Sequence, residues 1–162
     1  TPVAVTLTGN DLETAAEDIV FEVTVSPAHG SLSGTGTNLT YTPNANYSGP
    51  DSFEFTVRDM GDGASAALTS AGATVSITVN DTVAPSITAP PPTSVNANAS
   101  GHAVIPDFVA GTTASDNAGP VTITQSPVAG TTVGIGTHTI TLTATDAAGN
   151  TSTATTTFTV VG

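Results

Sequence analysis

The chain has 162 residues, a net charge of −12, a single Lys or Arg and no cysteine. Nucleic acid and anionic membrane surfaces are excluded as electrostatic partners, because both bind through basic patches. The lack of cysteine excludes disulfides and thiol chemistry, and no run approaches the ~18 apolar residues of a membrane span. A cation is the partner that this charge balance favours, although acidity also simply keeps a secreted protein in solution.

Strands are predicted throughout the first half of the chain. Apolar and polar residues alternate there with a period of two, which is typical of half-buried strands. A first strand is expected over 2–8, and turn formers are dense over 43–51. The inward positions of three further strands are predicted as follows: Ile19, Phe21, Val23 and Val25; Phe53, Phe55 and Val57; Val75, Ile77 and Val79.

The stretch 79–85, Val-Asn-Asp-Thr-Val-Ala-Pro, separates this pattern from a second one of the same kind. We interpret it as the joint between two domains, 1–81 and 82–162. The chain begins within a strand pattern, which suggests a segment of a longer protein.

The second half repeats the strand pattern over 86–89, 102–108, 121–125, 137–145 and 152–161. In 137–145 every odd position is Thr, and His138 is expected on the outward face of the strand. No window has the 3.6-residue period of an amphipathic helix, and 13–17 could form one short turn at most. Many short strands at this spacing predict an all-β chain of two tandem immunoglobulin-like β-sandwich domains.

Several motifs of the first half resemble bacterial cadherin-like and immunoglobulin-like surface repeats. The motifs are Pro-Ala-His-Gly-Ser-Leu at 27–32, Tyr-Thr-Pro-Asn-Ala-Asn-Tyr-Ser-Gly at 41–49 and Asp-Ser-Phe at 51–53. The connection over 59–72 is longer than that family's pattern. This resemblance implies a sandwich fold and an extracellular setting.

Motifs of the second half resemble hyalin (HYR) repeats. They are Asp-Thr-Val-Ala-Pro at 81–85, Ala-Ser-Asp-Asn at 114–117, Gly-Ile-Gly-Thr at 134–137 and Ala-Thr-Asp-Ala-Ala-Gly-Asn at 144–150. Such repeats occur in long extracellular proteins, often in adhesion, and as accessory modules of secreted enzymes. A fold of this kind does not by itself identify a ligand.

Oxygen-bearing side chains gather in the predicted loops that would meet at the joint. Ca²⁺ binds six to eight oxygens from carboxylates, amides and carbonyls, and cadherin-type repeats place calcium at the corresponding location. The sequence therefore predicts Ca²⁺ at the domain junction, and the candidate ligands are Asp11, Glu13, Asp51, Asn80, Asp81, Asp116, Asn117, Asp146 and Asn150.

The same residues also suit ordinary turns. Asp146-Ala-Ala-Gly149-Asn150 is the composition of a hairpin turn, in which Asp accepts backbone hydrogen bonds and Gly or Asn takes positive φ. Asp116 and Asn117 fit a turn equally well, and Asp81 could cap the linker backbone. Both interpretations remain open at this point.

Catalysis finds no support in the sequence. There is no Gly-x-Ser-x-Gly elbow and no cysteine nucleophile. The spacings of His29, His102 and His138 match no zinc motif. A sugar platform generally needs exposed aromatics, and the chain has no Trp, with Tyr47 as the best exposed candidate.

The sequence therefore predicts a non-catalytic adhesion or stalk segment of a bacterial surface or secreted protein. Its expected partners are neighbouring repeats of the same chain and a surface glycan or protein, without nucleic acid and without membrane insertion of this segment. The alternative is an accessory carbohydrate-binding or spacer module of a secreted polysaccharide-active enzyme.

Overall fold

A computed structural model of the protein describes residues 1–10, 19–61 and 66–162. The chain divides into two compact units, Thr1–Asp81 and Thr82–Gly162. The short turn expected over 13–17 lies outside the described residues. Within the described ranges, no helix has the length and apolar composition needed to cross a membrane.

The described residues of the first unit form two antiparallel sheets of three strands each. One sheet has the order β1-β4-β3 and the other the order β2-β5-β6. The strands are β1 (Val3–Thr6), β2 (Val20–Val25), β3 (Gly30–Thr35), β4 (Asn38–Pro43), β5 (Gly49–Arg58) and β6 (Ala73–Val79).

The core of the first unit lies between these two sheets. The predicted alternation is observed in β5, where Phe53 and Phe55 are buried and Glu54 is exposed. The ring of Phe21 stacks on that of Phe55 with centroids 6.1 Å apart. Leu39 of β4 and Leu7, which directly follows β1, complete the buried cluster from the side of the other sheet. Period-two burial on facing sheets is the geometry of a β-sandwich.

The second unit is also built from strands. Its largest sheet has the order β11-β13-β14-β8, and two smaller ladders pair β7 with β10 and β9 with β12. A short 3-10 helix covers Val109–Gly111. The strands are β7 (Ser86–Thr88), β8 (Thr93–Asn96), β9 (His102–Val104), β10 (Thr113–Ser115), β11 (Thr122–Ser126), β12 (Thr132–Gly134), β13 (Gly136–Thr145) and β14 (Thr151–Val161).

The core of the second unit lies on the inner face of the β13–β14 hairpin. It is formed by Ile105, Phe108, Ile140, Leu142, Phe158 and Val160. The rings of Phe108 and Phe158 meet edge to face at 6.4 Å. The chain is thus all-β and forms two immunoglobulin-like sandwiches in tandem, as the strand pattern predicted.

Three sequence expectations about single positions were wrong. Val25 was expected to point inward, but it is 50% exposed, because a bulge shifts the register of β2 between Val23 and Val25. Asp51 was expected in a turn, but β5 already starts at Gly49, and Asp51 pairs with Ile77 inside the sheet. Proline is tolerated near the start of a strand, so Pro50 does not delay it. His138 was expected on the outward face. It is half-buried on the same side of β13 as Ile140, because side chains two residues apart share a face.

Candidate metal site

Three carboxylates converge at one end of the second domain. Asp81, Asp116 and Asp146 each offer one oxygen, and these three oxygens all lie within 4.8 Å of one another. Asp146 is buried, and the other two residues are half-buried. We refer to these three residues as the acidic cluster.

The strand ladders explain why two of these acids share an end of the domain. Asp116 directly follows Ser115 of β10, which pairs with Ser86 at the start of β7. Asp146 directly follows Thr145 of β13, which pairs with both Thr122 of β11 and Thr151 of β14. Because all three ladders are antiparallel, the ends of β10 and β13 lie beside the starts of their partners.

Side-chain hydrogen bonds fasten the segment that follows Asp81 to the same end. The Ser152 hydroxyl donates to the carbonyl oxygen of Pro85, and Pro85 is itself buried. The hydroxyls of Ser86 and Ser115 lie 2.8 Å apart. These contacts hold the start of the second domain next to the loops that carry Asp116 and Asp146.

Asp116 has one carboxylate oxygen in use and one without a hydrogen-bond partner. The backbone N–H of Ala118 donates to Oδ2 at 2.8 Å. Oδ1 is buried and has no hydrogen-bond partner in the described part of the chain. A buried polar atom left in this state is costly unless another group satisfies it.

Asp146 is held by the turn that it begins. Oδ1 accepts hydrogen bonds from the backbone N–H groups of Ala148 and Asn150, both at 2.8 Å. Oδ2 accepts one from the Asn150 amide at 2.9 Å. Burial raises the pKa of Asp146, but these hydrogen bonds outweigh burial and hold the pKa below its usual range. Asp146 therefore carries its negative charge at neutral pH.

The second domain contains no Lys or Arg that could neutralise the cluster, because Arg58 of the first domain is the only basic residue of these types. The donor set consists entirely of carboxylate oxygens. Two ligands on opposite sides of a Ca²⁺ ion are about 4.6–5.2 Å apart at normal bond lengths. A separation within 4.8 Å therefore suits one calcium ion.

The other predicted ligands are distributed differently. Asn80 and Asn117 are exposed neighbours of the cluster residues in sequence, and Asn150 hydrogen-bonds Asp146. Asp11 and Glu13 lie outside the described residues. The alternative interpretation of turn chemistry also has support, since both Asp116 and Asp146 accept backbone hydrogen bonds from the residue two positions on.

Asp51 instead fastens a turn of the first domain. Its Oδ1 accepts hydrogen bonds from the backbone N–H groups of Ala28 and Ser52, and its Oδ2 accepts one from that of His29. The Tyr41 hydroxyl also donates to Oδ2, at 2.8 Å. Burial raises the pKa of Asp51, but the bonds from Tyr41 and the three backbone groups keep it below its usual range.

This buried Tyr41–Asp51 pair was missed in the sequence, although both residues stand in the quoted first-half motifs. Burial, followed by the hydrogen bond and the charge of Asp51, raises the pKa of Tyr41 to about 12. The exposed His29 ring lies parallel to that of Tyr47, with centroids 4.1 Å apart. The residues of these motifs thus contact one another, which gives the motifs a structural role in the first domain.

Among solved structures, the chain is similar to cadherin repeats. It is 15% identical to a protocadherin gammaB7 EC3-6 cis-dimer structure, covering 91% of this chain and 41% of that one, with a TM-score of 0.49. It is 14% identical to protocadherin gamma B3 EC1-4, covering 99% and 46%, also with a TM-score of 0.49. The chain thus spans less than half the length of these structures.

A further similarity is to an endo-fucoidan hydrolase of glycoside hydrolase family 107. The identity is 20% over 99% of this chain and 26% of that one, with a TM-score of 0.34. Likenesses at these identities and scores do not transfer a partner or an activity to this chain. No curated protein matches it.

The family models identify both halves. Residues 1–78 match the model described as a bacterial Ig domain, and residues 80–161 match the HYR domain. The HYR match includes all three residues of the acidic cluster. Domains of these types are typical of extracellular adhesion proteins and are typically non-catalytic. The chain therefore belongs to the HYR domain family over residues 80–161, and a bacterial Ig domain precedes that HYR domain.

Proposed function

We propose that the chain is a non-catalytic adhesion or stalk segment of an extracellular protein, and that its HYR domain binds Ca²⁺ through the acidic cluster. One observation carries the calcium proposal. Three carboxylate oxygens lie within 4.8 Å of one another in a domain that has no Lys or Arg. A cation from solution would offset their mutual repulsion, and a hard cation prefers such oxygens.

The buried Oδ1 of Asp116 supports the same proposal, because an ion would give this atom the partner that it lacks among the described groups. The cluster supplies fewer oxygens than the six to eight that Ca²⁺ takes. Backbone carbonyls, water and the amide oxygens of Asn80 and Asn117 are the candidates for the remaining positions.

The position of Asp81 in the chain relates the proposed ion to the proposed role as a stalk. Asp81 immediately precedes the second compact unit, which starts at Thr82. An ion held by Asp81 together with two loop acids of the HYR domain would tie the connecting segment to that domain. We expect the bound ion to limit the motion of this segment and so to stiffen the stalk.

The binding test is isothermal titration calorimetry of the whole chain with CaCl₂. The informative variant is Asp116→Asn, which keeps the side-chain shape and an oxygen for the Ala118 hydrogen bond. The matched control is Asp107→Asn, because Asp107 is an exposed acid of the same domain whose Oδ1 likewise accepts a backbone bond from two residues on, at 2.8 Å.

The wild type and Asp107→Asn should bind one Ca²⁺ with equal affinity. Asp116→Asn should bind at least ~10-fold more weakly, which corresponds to about 1.4 kcal/mol. Absence of binding by the wild type, or equal affinities for all three proteins, would reject the site. The three acids would then be explained by the turns that they stabilise.

Small-angle scattering of the same samples tests the stiffening separately. With calcium, the wild type should show a narrower distribution of maximum dimensions than with chelator, and Asp116→Asn should need at least ~10-fold more calcium for the same change. Identical scattering in the presence of demonstrated calcium binding would limit the ion to a local role within the HYR domain.

A further inference from the structure

The longest hairpin of the HYR domain carries a ladder of threonine pairs on one face. Cross-strand partners on β13 and β14 are Thr at five successive same-face positions. These pairs are Thr137 with Thr159, Thr139 with Thr157, Thr141 with Thr155, Thr143 with Thr153 and Thr145 with Thr151. Since side chains two residues apart point to the same side of a strand, the pairs form two parallel rows.

The neighbouring strands extend these rows. On β11, Thr122, Thr124 and Ser126 pair with Thr145, Thr143 and Thr141. On β8, Ser94 pairs with Thr159. We call this set of β11, β13 and β14 threonines, with Ser126 and Ser94, the threonine face.

The threonine face is the outer surface of its sheet. The opposite side carries the buried core residues Ile140, Leu142, Phe158 and Val160. Thr139, Thr153 and Thr155 are exposed, and so are the β11 members of the face. The structure describes the whole of this domain, and none of the residues in the threonine face is charged.

We propose that the threonine face is a self-association surface that packs against the same face of a second copy of this chain. Charge favours this partner. The chain carries −12, so two copies repel wherever their acids face each other, and an uncharged sheet face is where they can approach. Exposed sheets normally carry interspersed charges that oppose such stacking.

Geometry favours the same partner. A face with a fixed repeat along and across the strands matches itself in a two-fold arrangement, in which each residue meets its equivalents on the other copy. Sheets pack face to face about 10 Å apart, with their strands within about 30° of each other. Methyl groups from the two faces can then interdigitate while the hydroxyls bond across.

The size of the face predicts a weak contact. Two strands of ten and eleven residues, flanked by strands of five and four residues, give roughly 500 Å² per copy. Two copies therefore bury roughly 1,000 Å², the size of a weak, transient interface. A dissociation constant of about 0.1–1 mM is expected, a strength that suits adhesion by many aligned copies.

Sedimentation velocity of the whole chain, from about 10 µM to about 1 mM, tests the association. The substitution Thr155→Glu is chosen because Thr155 pairs with Thr141 at the middle of the ladder, where a two-fold axis would bring equivalent residues together. The control is Thr113→Glu, on an exposed threonine of β10 outside this sheet. Runs with calcium and with chelator separate this association from calcium binding.

The wild type and Thr113→Glu should show the same concentration-dependent increase in mass, and this increase should strengthen with added salt, which screens the net charge. Thr155→Glu should dimerise at least tenfold more weakly while keeping the melting temperature of Thr113→Glu. A mass that stays monomeric up to about 1 mM, or equal dimerisation of both variants, would overturn the proposal.

A crosslinking experiment identifies the surface directly, because the chain has no native cysteine. Under mild oxidation, Thr155→Cys should form a disulfide-linked dimer faster than Thr113→Cys. Equal rates would overturn the assignment of this face. Glycan-array binding that is lost in Thr155→Glu, without any wild-type self-association, would likewise overturn it and identify a glycan as the occupant.

Discussion

At the scale of single residues, the Asp51 carboxylate stabilises the turn over 27–30 in the bacterial Ig domain. It accepts three backbone N–H groups and the Tyr41 hydroxyl. Such charge-assisted bonds in a buried place contribute more than neutral ones. The turn over 27–30 is therefore anchored to β5 through one side chain.

Asp51→Asn should destabilise the first domain by about 2–3 kcal/mol at pH 7, because the new amide directs a donor at groups that are themselves donors. Chemical denaturation followed by fluorescence of Tyr41 and Tyr47 measures this difference. The control Asp59→Asn changes an acid that, in the described part of the chain, accepts backbone bonds from Gly61 and Leu68 and lacks a buried tyrosine partner, and it should cost less. Equal costs would contradict the special role of Asp51.

The pH dependence of the first domain follows from the same pair. The pKa of Asp51 is lowered in the folded state, so the unfolded chain binds more protons and the stabilisation present above about pH 4 is lost as the pH falls further. The pKa of Tyr41 is raised from 10.0 to about 12, so stabilisation from its protonated hydroxyl is lost as the pH rises through that range. In Asp51→Asn the acid-induced loss should be smaller than in the wild type.

Gly30 provides a second prediction at this scale. A Cβ added there would lie 2.4 Å from the Tyr41 ring, which is buried and hydrogen-bonded. Gly30→Ala should therefore cost about 1–3 kcal/mol through displaced packing. Gly72→Ala is the control, since its nearest atom is 3.9 Å away, and should be neutral or slightly stabilising. Equal stabilities of the two variants would contradict the close packing.

At the scale of elements, β5 shows how alternation builds the first core. It is the central strand of its sheet, between β2 and β6. Its inward positions carry Phe53 and Phe55, which are 0% and 8% exposed. The outward residue between them, Glu54, is charged and exposed, so the strand has one register that buries its rings.

Phe55→Ala should cost about 3–5 kcal/mol, because it removes a buried ring and leaves a cavity. Glu54→Ala, one residue away on the exposed face, should change the free energy of unfolding by no more than about 0.5 kcal/mol. Urea denaturation of the two variants measures both values. A small loss for Phe55→Ala would show that the strand has another register.

At the scale of the whole molecule, two domains with separate cores should unfold in distinguishable steps. Phe55→Ala identifies the transition of the bacterial Ig domain, because only that transition should shift to lower temperature. The remaining transition belongs to the HYR domain, which contains the acidic cluster.

Calcium at about 100 times its dissociation constant should add about 2.7 kcal/mol to the HYR domain and raise its melting temperature by roughly 10–20 °C. Differential scanning calorimetry with calcium and with chelator measures the shift, and a tenfold weaker affinity in Asp116→Asn should reduce it to about half at the same calcium concentration. A shift confined to the bacterial Ig domain, or no shift at all, would contradict a calcium site in the HYR domain.

The sequence by itself determined the longer strands and most of their buried positions, because both follow from local alternation and from turn formers such as those at 146–150. The short strands β8, β10 and β12 were not predicted, because three or four residues are too few to show a clear alternation. The sequence also determined the family of each half through short motifs. Where alternation was applied inconsistently, at His138, the prediction was wrong even though its position relative to Ile140 already contained the answer.

The tertiary structure decided which distant residues meet. Asp81, Asp116 and Asp146 belong to separate loops, and only the pairing of β7 with β10 and of β13 with β11 and β14 brings such loops to one end of the domain. Likewise, the sequence allowed Asp51 to be either a calcium ligand or a residue that stabilises a turn. Only the tertiary structure places the buried Tyr41 hydroxyl on its carboxylate. The local period of two specifies which face of a strand a side chain lies on, whereas the order and pairing of the strands specify which distant residues become neighbours.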